Sequence, residues 1–261
     1  MPFTLSHAAA ALPFRRTRLI MSALVIGCFA PDFEYFIPFA HHGSFGHSLP
    51  GIFVLDLPFS LIVLWLFHGY AKEPLAACLP ASARARLQLG PRTLSVNSPS
   101  RFAMIVISVL VGIATHILWD SFTHSGNWVS RHLPFLSINV SLPLFGPRPW
   151  YAILQYISSA LGIVILLLWG IHWYRYAAPV HSKPDRKLVK GDRIALACSF
   201  LIALFAALVR ATALGLPNGV HGAQHFMTIA AITGIAVFCF EIVIYGIVRN
   251  HTATPSNPLE T

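Results

Sequence analysis

The chain has 261 residues, 56% hydrophobic and only 10% charged, with a mean hydropathy of +0.66 and a formal net charge of +9. Soluble domains carry roughly 25% charged residues, so composition excludes an ordinary water-soluble globule and points to a bilayer protein. Nor does the positive charge imply nucleic acid, because the basic residues sit in short loops between apolar runs rather than on one polar domain.

In chain order, the first apolar segment is 19–38, after Arg15, Arg16 and Arg18. Its clean part ends at Ala30, and Pro31, Asp32 and Glu34 interrupt the remainder, so it reads as a spanning or a re-entrant segment. Cys28 after Val25-Ile26-Gly27 loosely imitates a lipoprotein signal, but Pro31-Asp32 downstream and 14 residues before the arginines argue against processing there. A histidine-rich loop follows, with His41, His42 and His47 within seven residues. The segments 51–70, 102–122, 153–174, 194–216 and 226–248 are each about 20 residues or longer and predict spanning helices. The fold class is therefore all-α: a polytopic transmembrane bundle of five spanning helices plus the N-terminal segment. Residues 1–250 read as one membrane domain, and 251–261, rich in Thr, Pro and Asn, as a disordered tail. The four cysteines are widely spaced and read as small buried hydrophobes.

Loop charges set the sidedness. Lys72, Arg84, Arg86, Arg92 and Arg101 fill one loop, and Arg175, Lys183, Arg186, Lys187, Lys190 and Arg193 another. The intervening loops hold two basic residues, Arg131 and Arg148, or none. The positive-inside rule makes the two basic loops cytoplasmic, and the C-terminus with them. The lipid bilayer is then the principal partner.

Within the helix 102–122 and just past it, His116, Asp120 and His124 recur at i, i+4 and i+8. Four residues advance about 400° around a helix, so the three share one face. His116 and Asp120 can reach one ion, whereas His124 lies about 12 Å along the axis from His116 and joins only if the helix breaks. Gly126 and Asn127 allow that break. Ionisable groups at membrane depth are costly, which makes them candidates for function. The sidedness gathers most of the others on the same outer face: Asp32 and Glu34, His47, Asp56, Arg210 and His225. His47 is the preferred ligand of its loop, because it leads directly into a helix. Asp56 suits a supporting role, accepting the spare N–H of a ligating histidine, and His225 could support the site in the same way. Arg210 requires a partner, either Asp56, Asp120 or an anionic head group. Glu241 lies too deep for the outer site and reads as a packing or relay group. His7 falls on the opposite side unless the first segment is re-entrant.

Three stretches resemble a bacterial membrane family, domain-of-unknown-function family 4184: Met1-Pro2-Phe3-Thr4-Leu5-Ser6-His7, Ala30-Pro31-Asp32-Phe33-Glu34-Tyr35-Phe36, and Gly43-Ser44-Phe45-Gly46-His47-Ser48-Leu49-Pro50-Gly51. The likeness continues through Pro58, Leu66-Phe67-His68 and Leu79-Pro80 to His116–Trp128. It implies the membrane architecture and leaves the chemistry open. A more distant likeness is to inner-membrane proteins described as metal-dependent hydrolases of the YdjM type. Their Pro-Asp-x-Asp element is matched by Pro31-Asp32-Phe33-Glu34, with Glu34 in place of the second Asp. Gly43 and Ser44 stand where those proteins carry Arg-Gly. That likeness implies His7, Asp32, His47, His116 and Asp120 as the candidate set.

The leading expectation is a membrane-embedded hydrolase using a divalent ion, zinc by the donor types, on a lipid-like or phosphorylated ester. Glu34 or Asp32 would be the base and Arg210 would steady an anionic head group. A transporter whose outer site binds metal or protons, and a structural or assembly protein with polar packing, are the non-enzymatic alternatives.

Overall fold

The computed structural model describes residues 4–36, 45–87, 94, 96–143, 146–180, 190–216 and 218–252. Five helices are long and apolar enough to cross a membrane: Leu49–Ala76, Pro99–His132, Trp150–Tyr176, Arg193–Ala213 and Gly222–His251. Their apolar surface is not consumed inside the protein. In the most hydrophobic stretch of Trp150–Tyr176 only 6% of residues are buried, so the remainder needs a non-aqueous surrounding. The chain is accordingly a helical, multi-pass membrane protein. One small ribbon departs from the all-helix expectation: Asn139–Leu142 pairs antiparallel with Gly146–Pro149. Leu142 opposes Gly146, which takes the left-handed φ of +68° that glycine tolerates best.

The chain packs as two compact units, Met1–Leu64 with Ser95–Tyr176, and Trp65–Leu94 with Ala177–Thr261. The first begins with a 3₁₀ helix, Thr4–Arg16, followed by the seven-residue helix α1 (Met21–Gly27) and a second 3₁₀ turn, Ala30–Phe36. Seven helical residues rise about 10 Å, a third of a bilayer core, so α1 is no spanning helix. The helix α2 (Leu49–Ala76) starts at Ser48, whose Oγ accepts from Gly51 N at 3.1 Å, with Pro50 in the first turn. It widens to π geometry at Ile52–Asp56 and Phe67–Ala71. Each widening lies just ahead of a proline, Pro58 or Pro74, that cannot donate to the preceding turn.

The helix α3 (Pro99–Thr123) is capped by Ser98 and carries the unit's core on Ile105, Val109 and Ile113. It meets α1 through glycines on both sides. A Cβ on Gly27 would fall on the carbonyl oxygen of Val109, and one on Gly112 on that of Leu24. The helix α4 (Trp150–Tyr176) approaches the N-terminal 3₁₀ helix in the same way, Gly162 lying against Ser6. These close approaches fix the depth of His7 and of the Cys28 carbonyl beside α3.

In the second unit, α5 (Lys190–Ala213) and α6 (Gly219–Thr252) pack along each other through Ala203, Ala207 and Gly234. Gly219, the first residue of α6, takes the left-handed φ of +67° that glycine tolerates best. Toward its other end, Arg249 pairs with Glu73 at 3.3 Å and Asn250 donates to Gly69 O at 3.2 Å. The helix runs on to Thr252, two residues into the stretch expected to be a disordered tail, and 253–261 lie outside the described residues. Of the four cysteines expected to be buried, only Cys28 is; Cys78, Cys198 and Cys239 are exposed, and none is in a disulfide. On the membrane helices that carry Cys198 and Cys239 such exposure faces an apolar surrounding, so burial by protein is not required.

Candidate metal centre

Two 3₁₀ segments deliver residues to the end of α3. With three residues per turn, positions three apart eclipse one another. Thr4 and His7 therefore share a side, as do Asp32 and Tyr35. Thr4 Oγ1 donates to Asp32 Oδ2 at 2.6 Å, tying the segments together, while His7 stacks on His116 with ring centroids 4.1 Å apart. His7 and Asp32 thus flank a segment whose two ends return to the same helix. His7, His116, Asp32 and Glu34 are buried to within 2% exposure.

Asp120 stands at the centre. Its Oδ2 lies 3.3 Å from His116 Nε2, 3.4 Å from His47 Nε2 and 3.5 Å from His124 Nδ1. Its Oδ1 lies 3.5 Å from His7 Nε2, and Asp32 Oδ1 is 3.8 Å from His116 Nε2. These separations exceed the 2.7–3.2 Å of a good N–H···O bond. They match instead the edge of a tetrahedron, about 3.3 Å, for donors bound to one ion at 2.0–2.1 Å. Two sets of donors lie close enough to share an ion: His7, His116 and Asp120, and Asp32, His47 and His116.

The unsatisfied atoms lead the same way. Among the described residues His7 Nδ1 and Nε2, His116 Nε2 and Asp120 Oδ1 are buried without a hydrogen-bond partner, each a substantial cost unless something else engages it. His116 Nδ1 lies 2.7 Å from the Cys28 carbonyl oxygen, which can only accept. That contact sets a proton on Nδ1; in the neutral ring the Nε2 lone pair then faces two carboxylates, an arrangement that a bound cation would satisfy. Burial, and after it the neighbouring His116, push the His7 imidazole down to about 3, keeping it in the neutral, ligand-competent form. Burial and then the carboxylates of Asp32, Glu34 and Asp120 push the Tyr35 phenol up to about 12.

His124 reaches Asp120 because α3 ends at Thr123. His124 is extended, with φ −127° and ψ 147°, and Asn127 Nδ2 donates to the Asp120 main-chain oxygen at 3.0 Å. Glu34 Oε2 accepts from Gly46 N at 3.4 Å, next to His47. Asp56 is fully buried and within Coulombic reach of His47 and Glu34, but the supporting hydrogen bond expected of it is missing. Neither Asp56 oxygen nor His47 Nδ1 has a hydrogen-bond partner among the described residues. Arg210 lies on α5, in the second unit. The partner the structure gives it is a hydroxyl, Thr233 Oγ1 at 3.1 Å, within the second unit. His225 is exposed on α6 in that unit, and Glu241 there keeps a buried, unpartnered Oε2. His41 and His42 lie outside the described residues.

Thr4, Tyr35, the Cys28 carbonyl and Trp119, which packs edge-on to His7 at 5.4 Å, are site components that the sequence reading did not single out. The three-residue spacings Thr4–His7 and Asp32–Tyr35 were the available signal. The pattern of the family described as Domain of unknown function (DUF4184) matches residues 1–247. No curated protein and no solved structure matches the chain.

Proposed function

The chain belongs to the DUF4184 family, and we propose that it is an integral inner-membrane, metal-dependent hydrolase of a lipid-like or phosphorylated ester. The observation that carries this reading is the set of four imidazoles around Asp120 at metal-edge spacing, with buried atoms that have no other partner. His7, Asp32, His47, His116, Asp120 and His124 would hold the ion, and imidazole with carboxylate is a donor set suited to zinc. A divalent ion held there would lower the pKa of a water to about 7 and polarise a phosphoryl or acyl oxygen.

Glu34, buried beside His47 yet in neither donor set, is placed to take the proton of the attacking water. The ester bond to the leaving oxygen breaks, and the proton passes to that oxygen, giving an acid and an alcohol. Asp120 is three residues from the end of α3, about 5 Å along the axis, which favours a reaction at head-group depth. The basic loops make that face the outer one and place the C-terminus in the cytoplasm. The segment between His7 and Asp32 is then re-entrant, since both ends meet the same end of α3.

Purified protein in proteoliposomes is assayed with acyl-ester and phosphodiester lipid analogues. Turnover that needs zinc or manganese, and that is lost in His116→Ala and Glu34→Gln, is the expected result. Retained metal with no hydrolysis of either ester, accompanied by metal uptake into the liposomes, would replace the reading with a transporter.

A further inference from the structure

We propose that the centre holds two divalent ions rather than one, bridged by the two carboxylate oxygens of Asp120, with His7 as the ligand that distinguishes the second ion. This rests on the metal-site part of the reading above and deepens it.

His7 and His116 stack at 4.1 Å with their planes only 22° apart. An imidazole binds a metal along its in-plane lone pair, so each ion lies in the plane of its own ring, about 3 Å from the centroid. A 22° tilt closes the gap between the planes by little more than about 1 Å over that reach, leaving them well apart. A single ion on both Nε2 atoms would sit well out of the plane of at least one ring, a poor direction for an imidazole donor. Two ions, one in each plane, would be separated by about the stacking distance. That matches the 3.5–4 Å of two-metal hydrolytic sites.

Asp120 is oriented for the bridge. Oδ2 faces His116 and His47, whereas Oδ1 faces His7. His116 can serve one ion only, because its other nitrogen is engaged by the Cys28 carbonyl. The first ion would take Asp32, His47 and His116, with Asp120 Oδ2 facing two of these donors; the second would take His7 Nε2 and Asp120 Oδ1 and keep the more open coordination. With fewer protein donors, the second would bind more weakly. His7, at 0% exposure and with both ring nitrogens unpartnered, has no other evident occupation.

The test loads full-length, detergent-purified protein with Mn²⁺ and measures stoichiometry together with the electron paramagnetic resonance spectrum. Two equivalents are expected, the second at least 10-fold weaker, with an exchange-coupled spectrum in the wild type. In His7→Gln the stoichiometry should fall to one and the spectrum to that of isolated Mn²⁺. One equivalent with an uncoupled spectrum in the wild type overturns the two-ion inference and leaves the hydrolase reading intact. Two uncoupled equivalents, or two that survive His7→Gln, overturn it as well. No retained metal in folded protein overturns the hydrolase reading and this inference together. The wild-type spectrum decides without the variant, should His7→Gln fold poorly.

Discussion

Both units place ionisable side chains in apolar helices, and they settle the cost in opposite ways. In the second unit Arg249 pairs with Glu73 at 3.3 Å, and Arg210 donates to Thr233 at 3.1 Å. Cation meets carboxylate or hydroxyl, and each guanidinium has a local partner. In the first unit, imidazole nitrogens and carboxylate oxygens crowd together at 3.3–3.5 Å, and among the described residues several of them are buried with no hydrogen-bond partner. Intramembrane charge therefore does not mark a site by itself. The sharper mark is a set of buried donors that converge without satisfying each other.

Four experiments probe this contrast. The largest effect belongs to Asp120→Asn, which removes the shared carboxylate and should lower metal affinity by more than about 100-fold, measured by competitive titration with a chromophoric chelator. Unchanged affinity would make Asp120 a packing residue like those of the second unit. Next is Gly112→Leu, which touches no donor but drives α1 from α3. It should cost about 1–3 kcal/mol of stability and, by withdrawing the Cys28 carbonyl from His116, about 10- to 100-fold in metal affinity. A loss of stability with full metal affinity would show that the carbonyl contact does not orient the ring.

The third is a pH effect on metal-free protein. The folded-state pKa of His7 is lowered to about 3, so between pH 3 and the ordinary 6.5 only the unfolded chain binds that proton. Stability should rise with pH through this window, and His7→Phe should flatten the dependence, as read from melting temperatures at pH 4.5 and 7.5. The smallest effect is Glu73→Gln in the second unit. It should change stability by less than about 1 kcal/mol and leave metal content unchanged, because the pair is partly exposed. Loss of metal in Glu73→Gln would erase the distinction between the units.

The sequence carried the five long helices, because runs of 20 or more apolar residues with few charges have no other stable home. It also carried the His116–Asp120–His124 trio, since helical spacing turns positions four apart to one side. The end of the helix at Thr123 was legible from Gly126 and Asn127, one residue early; His124 lies 3.5 Å from Asp120 and in neither donor set. The role of His7 was not legible. Its depth depends on α1 being only seven residues long and on Gly27, Gly112 and Gly162 admitting backbone at close range. Periodicity says nothing about such contacts between distant stretches. The Cys28 carbonyl was invisible for a related reason, being main chain that any residue could supply. Arg210 and Asp56 show the reverse limit: composition marks a costly group but does not say which neighbour relieves it. The ribbon at Asn139–Pro149 lies in a loop whose strands are four residues each, too short for alternation to register.

X-ray absorption at the zinc edge of the zinc-loaded, full-length protein tests the central claim most directly. Nitrogen and oxygen donors at about 2.0–2.2 Å, with outer-shell scattering from two or more imidazoles per chain that diminishes in His116→Ala, are the expected result. Zinc that washes away, or that shows water oxygens alone with no imidazole signature, would contradict a metal centre built on Asp120.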